Sequence, residues 1–195
     1  MKIVFIDCEF TGEHAFATLV SVGMVTLDGR ELYISLNDYD RDQVDSWLEA
    51  NVLQKIDPKT TVSSQRACIL VAQFLEEYAQ SKPVSLISAG KLNDISLLFQ
   101  LWHSVYPERK YFHFGRYLPK YLNHRAHFDL DTLFFAAGLS SNLNREDYIG
   151  ESNKELKHSA LYDAQVVRQC FIKLIKSGRL PYIAARTGKF IETND

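Results

Sequence analysis

Five side chains are of types that could hold a metal ion or move a proton: Asp7, Glu9, Asp94, His158 and Asp163. Asp7 and Glu9 close the run Ile3-Val4-Phe5-Ile6-Asp7-Cys8-Glu9-Phe10. Its β-branched and aromatic residues predict a buried strand. The i, i+2 spacing puts both carboxylates on one strand face, in line with Ile3 and Phe5. Burying unpaired charge is costly, so two acids on the inner face of an apolar strand call for a cation. The plainer alternative is that Asp7 ends the strand and caps the next turn. Asp94 opens a helix one turn before Leu98, close to that helix's apolar stripe. Taken alone, it is better explained as a helix-start acid complementing the macrodipole. His158 precedes Asp163 by five positions, at the entry to another helix. Carboxylates are hard oxygen ligands suited to Mg²⁺ or Mn²⁺, and a histidine with an ordinary pKa of about 6.5 suits proton abstraction near neutral pH.

The elements that must position these residues can be read in order. A strand covers residues 2–7, a polar turn runs from Thr11 to His14, and residues 17–26 alternate as a second strand. Asp28-Gly29 predicts a hairpin turn, and Leu32, Ile34 and Leu36 mark a third strand, which makes an antiparallel meander. Val44, Trp47, Leu48 and Val52 recur at helical spacing over 41–53, before Pro58 breaks the chain. Ser63 is an N-cap candidate for a helix with Ala67, Leu70, Val71, Phe74, Leu75 and Tyr78 on one stripe. Residues 84–89 form a short strand, and Asp94 then starts a helix carrying Ile95, Leu98, Leu101 and Trp102.

The segment 107–127 interleaves Arg109, Lys110, Arg116, Lys120 and Arg125 with Tyr111, Phe112, Phe114, Tyr117 and Tyr121. Cations that neutralise phosphates and rings that stack on bases are one reading; inward-packed rings with solvated charges are the other. Residues 127–130 are a last strand, with Asp131 capping a helix over 132–138. A Ser- and Asn-rich loop or lid spans 140–157. The closing helix bears Ala160, Ala164, Val167, Phe171 and Leu174, with Asp163 beside the stripe, and Gly178 and Pro181 stop it. The tail 179–195 has little pattern.

Composition sets outer bounds. The 195 residues, 46% hydrophobic and 24% charged, suit one domain, 1–195, with a substantial core. A net charge of −2 gives no global attraction to nucleic acid, so such binding needs a local patch. Cys8, Cys68 and Cys170 are scattered, without metal spacing, which suggests reduced thiols and a cytoplasmic protein. No apolar run is long enough to span a membrane, and the N-terminus lacks a signal-peptide pattern. There is no Gly-rich phosphate loop, and His103, His113, His124 and His127 are better read as surface or core residues than as zinc ligands.

Asp7-x-Glu9, Asp94 and His158-x4-Asp163 resemble the motifs of the DEDDh 3′–5′ exonucleases, and the resemblance spans nearly the whole chain. It implies an α/β, RNase H-like fold, with a mixed five-stranded sheet flanked by helices. Asp28-Gly29-Arg30-Glu31, the Trp47 to Lys55 stretch, Leu98-x-Gln100-Leu101-Trp102 and Ala160-Leu161 are similar to the ribonuclease AS type of bacterial exoribonuclease. That similarity implies hydrolysis of single-stranded RNA from its 3′ end, a preference for adenylate, and a homodimer. Residues 107–157 are longer than that type's pattern.

Two divalent ions about 3.5–4 Å apart can activate water and stabilise the leaving alkoxide. In that scheme Asp7 bridges both, Glu9 and Asp163 complete one site, Asp94 serves the other through water, and His158 is the base. His158 is expected on a loop that swings over the metals, mobile without substrate. Phe10 and Thr11 match family positions that pack on the terminal nucleotide and contact its sugar, although core packing explains Phe10 as well. The same site on single-stranded DNA, or a non-catalytic RNase H-like binding module, are the competing readings; the 2′-OH contacts that separate RNA from DNA are not visible in sequence.

Overall fold

The computed structural model describes residues 2–90, 93–106, 118–123 and 126–191. Five strands order as β3-β2-β1-β4-β5 in one mixed sheet. Strands β1 (Lys2–Phe10), β2 (Leu19–Thr26) and β3 (Glu31–Ser35) form the expected antiparallel meander. Strand β4 (Val84–Ser88) runs parallel to β1, and β5 (Phe128–Asp129) parallel to β4. Strand β1 extends past Asp7 to Phe10, so both of its carboxylates lie inside the sheet, next to β2.

The faces of β1 alternate between two cores. Val4, Ile6 and Cys8 pack with helices α2 (Ser64–Ala79) and α3 (Asn93–Val105) through Val71, Leu75, Leu98 and Leu101. Ile3 and Phe5 pack with α4 (Leu130–Ala136) and α6 (Ala160–Lys176) through Phe134, Val167 and Phe171. Phe5 and Phe171 are in ring contact at 5.4 Å. Burying a side chain of this size stabilises the fold by about 1.5–3 kcal/mol.

Several elements differ from the sequence expectation. The 41–53 stretch is a 3₁₀ turn followed by the short helix α1 (Ser46–Asn51), because Asp45 takes the Leu48 N–H at 2.7 Å and restarts the chain. Asp129, not Asp131, caps α4, accepting from Thr132 N at 2.8 Å; Asp131 faces Arg145 instead, at 3.7 Å. The 140–157 stretch contains a helix, α5 (Arg145–Ile149), capped by Asn144. The tail also carries a helix, α7 (Pro181–Ile191), which Pro181 opens after α6 has stopped at Lys176 as expected. Of the aromatic and basic segment, residues 107–117 and 124–125 lie outside the described residues, and so do His113 and His124. His127 is half-buried and structural: its Nδ1 accepts the Leu86 N–H at 3.0 Å, extending the ladder of β4.

Candidate active site

The site is assembled at the ends of β1, α3 and α6. Sheet pairing sets Asp7 opposite Gly23 and Glu9 opposite Ser21. Glycine at 23 is required by close approach. A β-carbon there would lie 2.2 Å from the carbonyl oxygen of Ala160, the first residue of α6. The absent side chain lets the start of α6 rest on β2 beside Asp7, and Asp163 is one turn further along that helix.

Asp94 arrives from the opposite face. Strand β4 pairs with β1 only as far as Phe5 and Ile87, then departs through Gly90. The Cys8 N–H beyond that point needs another acceptor, and Asp94 Oδ1 provides it at 3.0 Å. Asp94 is 4% exposed. One hydrogen bond therefore ties the start of α3 to the residue between the two β1 carboxylates.

His158 has a positive φ of 63°, and its N–H donates to Asp163 Oδ2 at 3.0 Å. This left-handed turn answers the spacing problem: residues five apart do not share a helix face, but His158 stands before the helix and folds back over it. One ligand atom each of Glu9, His158 and Asp163 fall within 4.8 Å of one another. The histidine is thus held over the carboxylates rather than swung away. Its ring meets the indole of Trp47, centroids 4.9 Å apart and nearly perpendicular, and Lys55 Nζ donates to the carbonyl of Lys157.

Four acids at one place repel one another. Burial first, then Asp94, Asp163 and Glu9, push the Asp7 carboxyl well above the usual range. Burial with Asp163 and Asp94 raises Glu9 to about 8, against a lowering by Lys55. Burial raises Asp94 to about 7, opposed by the Cys8 N–H. Burial also raises Asp163 to about 6, opposed by the His158 N–H and by Arg145. Burial, Lys157 and Lys55 lower His158 below its ordinary value, which favours the neutral imidazole at pH 7. This donor set fits divalent cations: hard oxygens, mostly buried, that cannot all ionise without added positive charge.

Phe10 and Thr11 follow the carboxylates after a register shift at Glu9/Phe10. Phe10 is half-buried and lines a cavity of about 350 Å³ with Asn93, Ser96, Leu97 and Gln100 of α3. Thr11 is 6% exposed and internally engaged: its hydroxyl donates to Gln43 Oε1 at 2.6 Å and accepts from Thr18 N at 2.8 Å. Sequence reasoning missed Gln43, Trp47, Lys55 and Arg145 as neighbours of the site. Trp47 and Lys55 stood in the sequence as parts of a resemblance; nothing in their spacing pointed at His158.

No protein-family model matches the chain. The α/β fold, a mixed five-stranded sheet flanked by helices, is similar to that of Escherichia coli exonuclease I. The zinc-bound complex of that enzyme with single-stranded DNA superposes with a TM-score of 0.60 at 12% identity, covering 98% of this chain and 42% of exonuclease I. Its complex with a 5cy-dA13 oligonucleotide gives 0.53 at 12% identity, covering 90% and 40%. In sequence, 54 residues are 37% identical to a 3′–5′ exoribonuclease of Mycobacterium tuberculosis, strains CDC 1551 / Oshkosh and ATCC 25618 / H37Rv. That match spans 28% of this chain and 32% of the curated relative.

Proposed function

We propose that this chain is a DEDDh-type, metal-dependent 3′–5′ exonuclease that removes nucleoside 5′-monophosphates from the 3′ end of single-stranded RNA. The observation that carries this reading is the meeting of Glu9, Asp163 and His158 within 4.8 Å, with Asp7 beside them in the same field. Asp7, Glu9, Asp94 and Asp163 would hold two divalent cations, Mg²⁺ or Mn²⁺. Bound there, such ions supply an activated water and charge stabilisation for the leaving oxygen. His158, neutral at pH 7, accepts a proton from the attacking water on the face that Glu9 and Asp163 share. Asp163 also orients His158 through its main chain, so one carboxylate serves as ligand and support. Phe10 offers its ring to the terminal nucleotide, and the α3 wall of amides and hydroxyls offers uncharged partners to the bases and riboses behind it. With its hydroxyl taken by Gln43, Thr11 would meet a sugar only by exchanging that bond.

The mycobacterial relative is a 3′–5′ exoribonuclease, which favours RNA. An adenylate preference and a homodimer follow from the ribonuclease AS-like stretches. A cytoplasmic place accords with the free cysteines, and no helix among the described residues is long and apolar enough to cross a membrane. Single-stranded DNA is the second reading, favoured by the DNA-bound exonuclease I structures that share the fold. The test is digestion of 5′-labelled single-stranded RNA and DNA of one sequence, with Mg²⁺ or Mn²⁺, beside Asp7→Ala. A ladder shortening from the 3′ end of RNA, absent in the variant, is expected. Cleavage of DNA alone overturns the choice of RNA; an unchanged ladder in the variant overturns the metal assignment.

A further inference from the structure

The arm between β3 and α2 reaches the site from outside the sheet. Leu48 and Val52 anchor it on Val20 of β2, forming a small core of their own. Trp47 stands at the start of α1, is 50% exposed, and turns its ring onto His158 rather than into that core. Asn51 Nδ2 holds the Trp47 carbonyl at 2.8 Å, which fixes the turn that presents the indole. At the far end of the arm Lys55 grips the Lys157 carbonyl, one residue before His158. Asp163 holds the His158 N–H from the other side. The backbone of His158 is thus fixed at both flanks, in a left-handed conformation. What remains free is rotation of its ring about the side-chain bonds. Trp47 is the aromatic neighbour that meets this ring among the described residues.

From this geometry we infer that Trp47 is a positioning residue, which sets the imidazole of His158 over Glu9 and Asp163 through ring contact. The inference rests on the proposed exonuclease reading for its consequence, but the placement itself does not. A large indole kept half in water gives up burial, and ring-on-ring contact at this angle and distance is a favourable arrangement. Trp47 therefore acts on the reaction only through His158. A direct contact between Trp47 and a nucleotide base is the competing role, and it is separable by experiment.

The experiment is a double-mutant cycle with a spectroscopic companion. Trp47→Ala lowers kcat by about 10–100-fold, the scale of a displaced catalytic group, with KM within about twofold. Trp47→Phe restores most of the rate. In the His158→Ala background the same Trp47→Ala change has no further effect, because residues acting as a unit are not additive. In parallel, in the metal-free protein the imidazole carbon-bound protons of His158 lose their nuclear Overhauser contacts to Glu9 in Trp47→Ala and keep them in Trp47→Phe, while the melting temperature holds. Equal losses from Trp47→Ala in both backgrounds, or a KM effect alone, overturn the inference in favour of base contact. His158–Glu9 contacts that survive in Trp47→Ala overturn it whatever the rates. If the wild-type chain cleaves nothing, the nuclease reading falls, and the Overhauser comparison alone decides whether Trp47 places His158.

Discussion

Gly23 and Ala160 are in backbone contact so close that a β-carbon on Gly23 would sit 2.2 Å from the Ala160 oxygen. Gly23 also pairs with Asp7 across the sheet. The contact therefore sets the distance between the acids of β1 and the acid of α6. Gly23→Ala must push the start of α6 outward, since the clashing atoms are main chain. Overpacking of this kind costs about 1–3 kcal/mol or more, and about 2–4 °C of melting temperature per kcal/mol in a chain of this size. Loss of divalent-ion affinity is expected to exceed the loss of stability. Calorimetric titration with Mn²⁺ beside a thermal melt checks it; a variant that binds Mn²⁺ like the wild type would show that this contact does not set the site.

The carboxylate cluster predicts a pH-dependent response to metal. Glu9, Asp94 and Asp163 have folded-state values near 8, 7 and 6, above the ordinary carboxylate range near 4. The metal-free folded state thus retains protons that the unfolded state has released. Its stability from these groups is highest below about pH 4 and falls as pH rises through the folded values. A cation that binds only the folded form offsets the repulsion. The melting-temperature gain from saturating Mg²⁺ or Mn²⁺ is therefore larger at pH 8 than at pH 6. Equal gains at both would sink the assignment of these acids as ligands. Asp7→Asn, which removes the most crowded charge, should raise the metal-free melting temperature at pH 8 while abolishing the gain from metal and the cleavage of RNA.

Much of this arrangement was legible in sequence because it rests on local rules. The period-two alternation of Ile3, Phe5, Asp7 and Glu9 places both acids on the α6 face, and Ser63 caps α2 as its type requires, accepting from Arg66 N at 3.3 Å. What escaped was set by tertiary contact. Nothing local marks Gly23 as the seat of α6, or sends Asp94 to the Cys8 N–H that β4 leaves unpaired. The break of 41–53 into short turns depends on Asp45 capping mid-stretch, a signal the apolar spacing of Val44, Leu48 and Val52 concealed. The helices α5 and α7 lie where polar composition and a proline suggested loop and tail.

Phe10 provides a test of the substrate side. Its ring lines the cavity beside α3 without being fully buried, so removing it costs the fold less than a core phenylalanine would. Stacking on a base is worth about 1–3 kcal/mol. Phe10→Ala should raise KM for a short oligoribonucleotide by about 5–150-fold on that scale, with kcat changed much less. Steady-state kinetics decide it: an unchanged KM would assign Phe10 to packing alone.

His158 makes the last prediction, on the pH dependence of the rate. Burial, Lys157 and Lys55 hold its pKa below the ordinary value, so the neutral imidazole, the form the proposed base needs, dominates at pH 7. As pH falls through that lowered value the imidazole gains a proton and the base is lost, so kcat declines on the acid side. Carboxylate protonation would also reduce activity there, but only by weakening metal binding. At saturating Mn²⁺ the remaining acid limb therefore belongs to His158. Lys55→Met, which removes a nearby cation, should move that limb to higher pH. His158→Ala should lose about 10²–10⁴-fold in rate and flatten the limb, while retaining the metal-induced rise in melting temperature. An acid limb that survives His158→Ala unchanged at saturating metal would remove the histidine from the role of base.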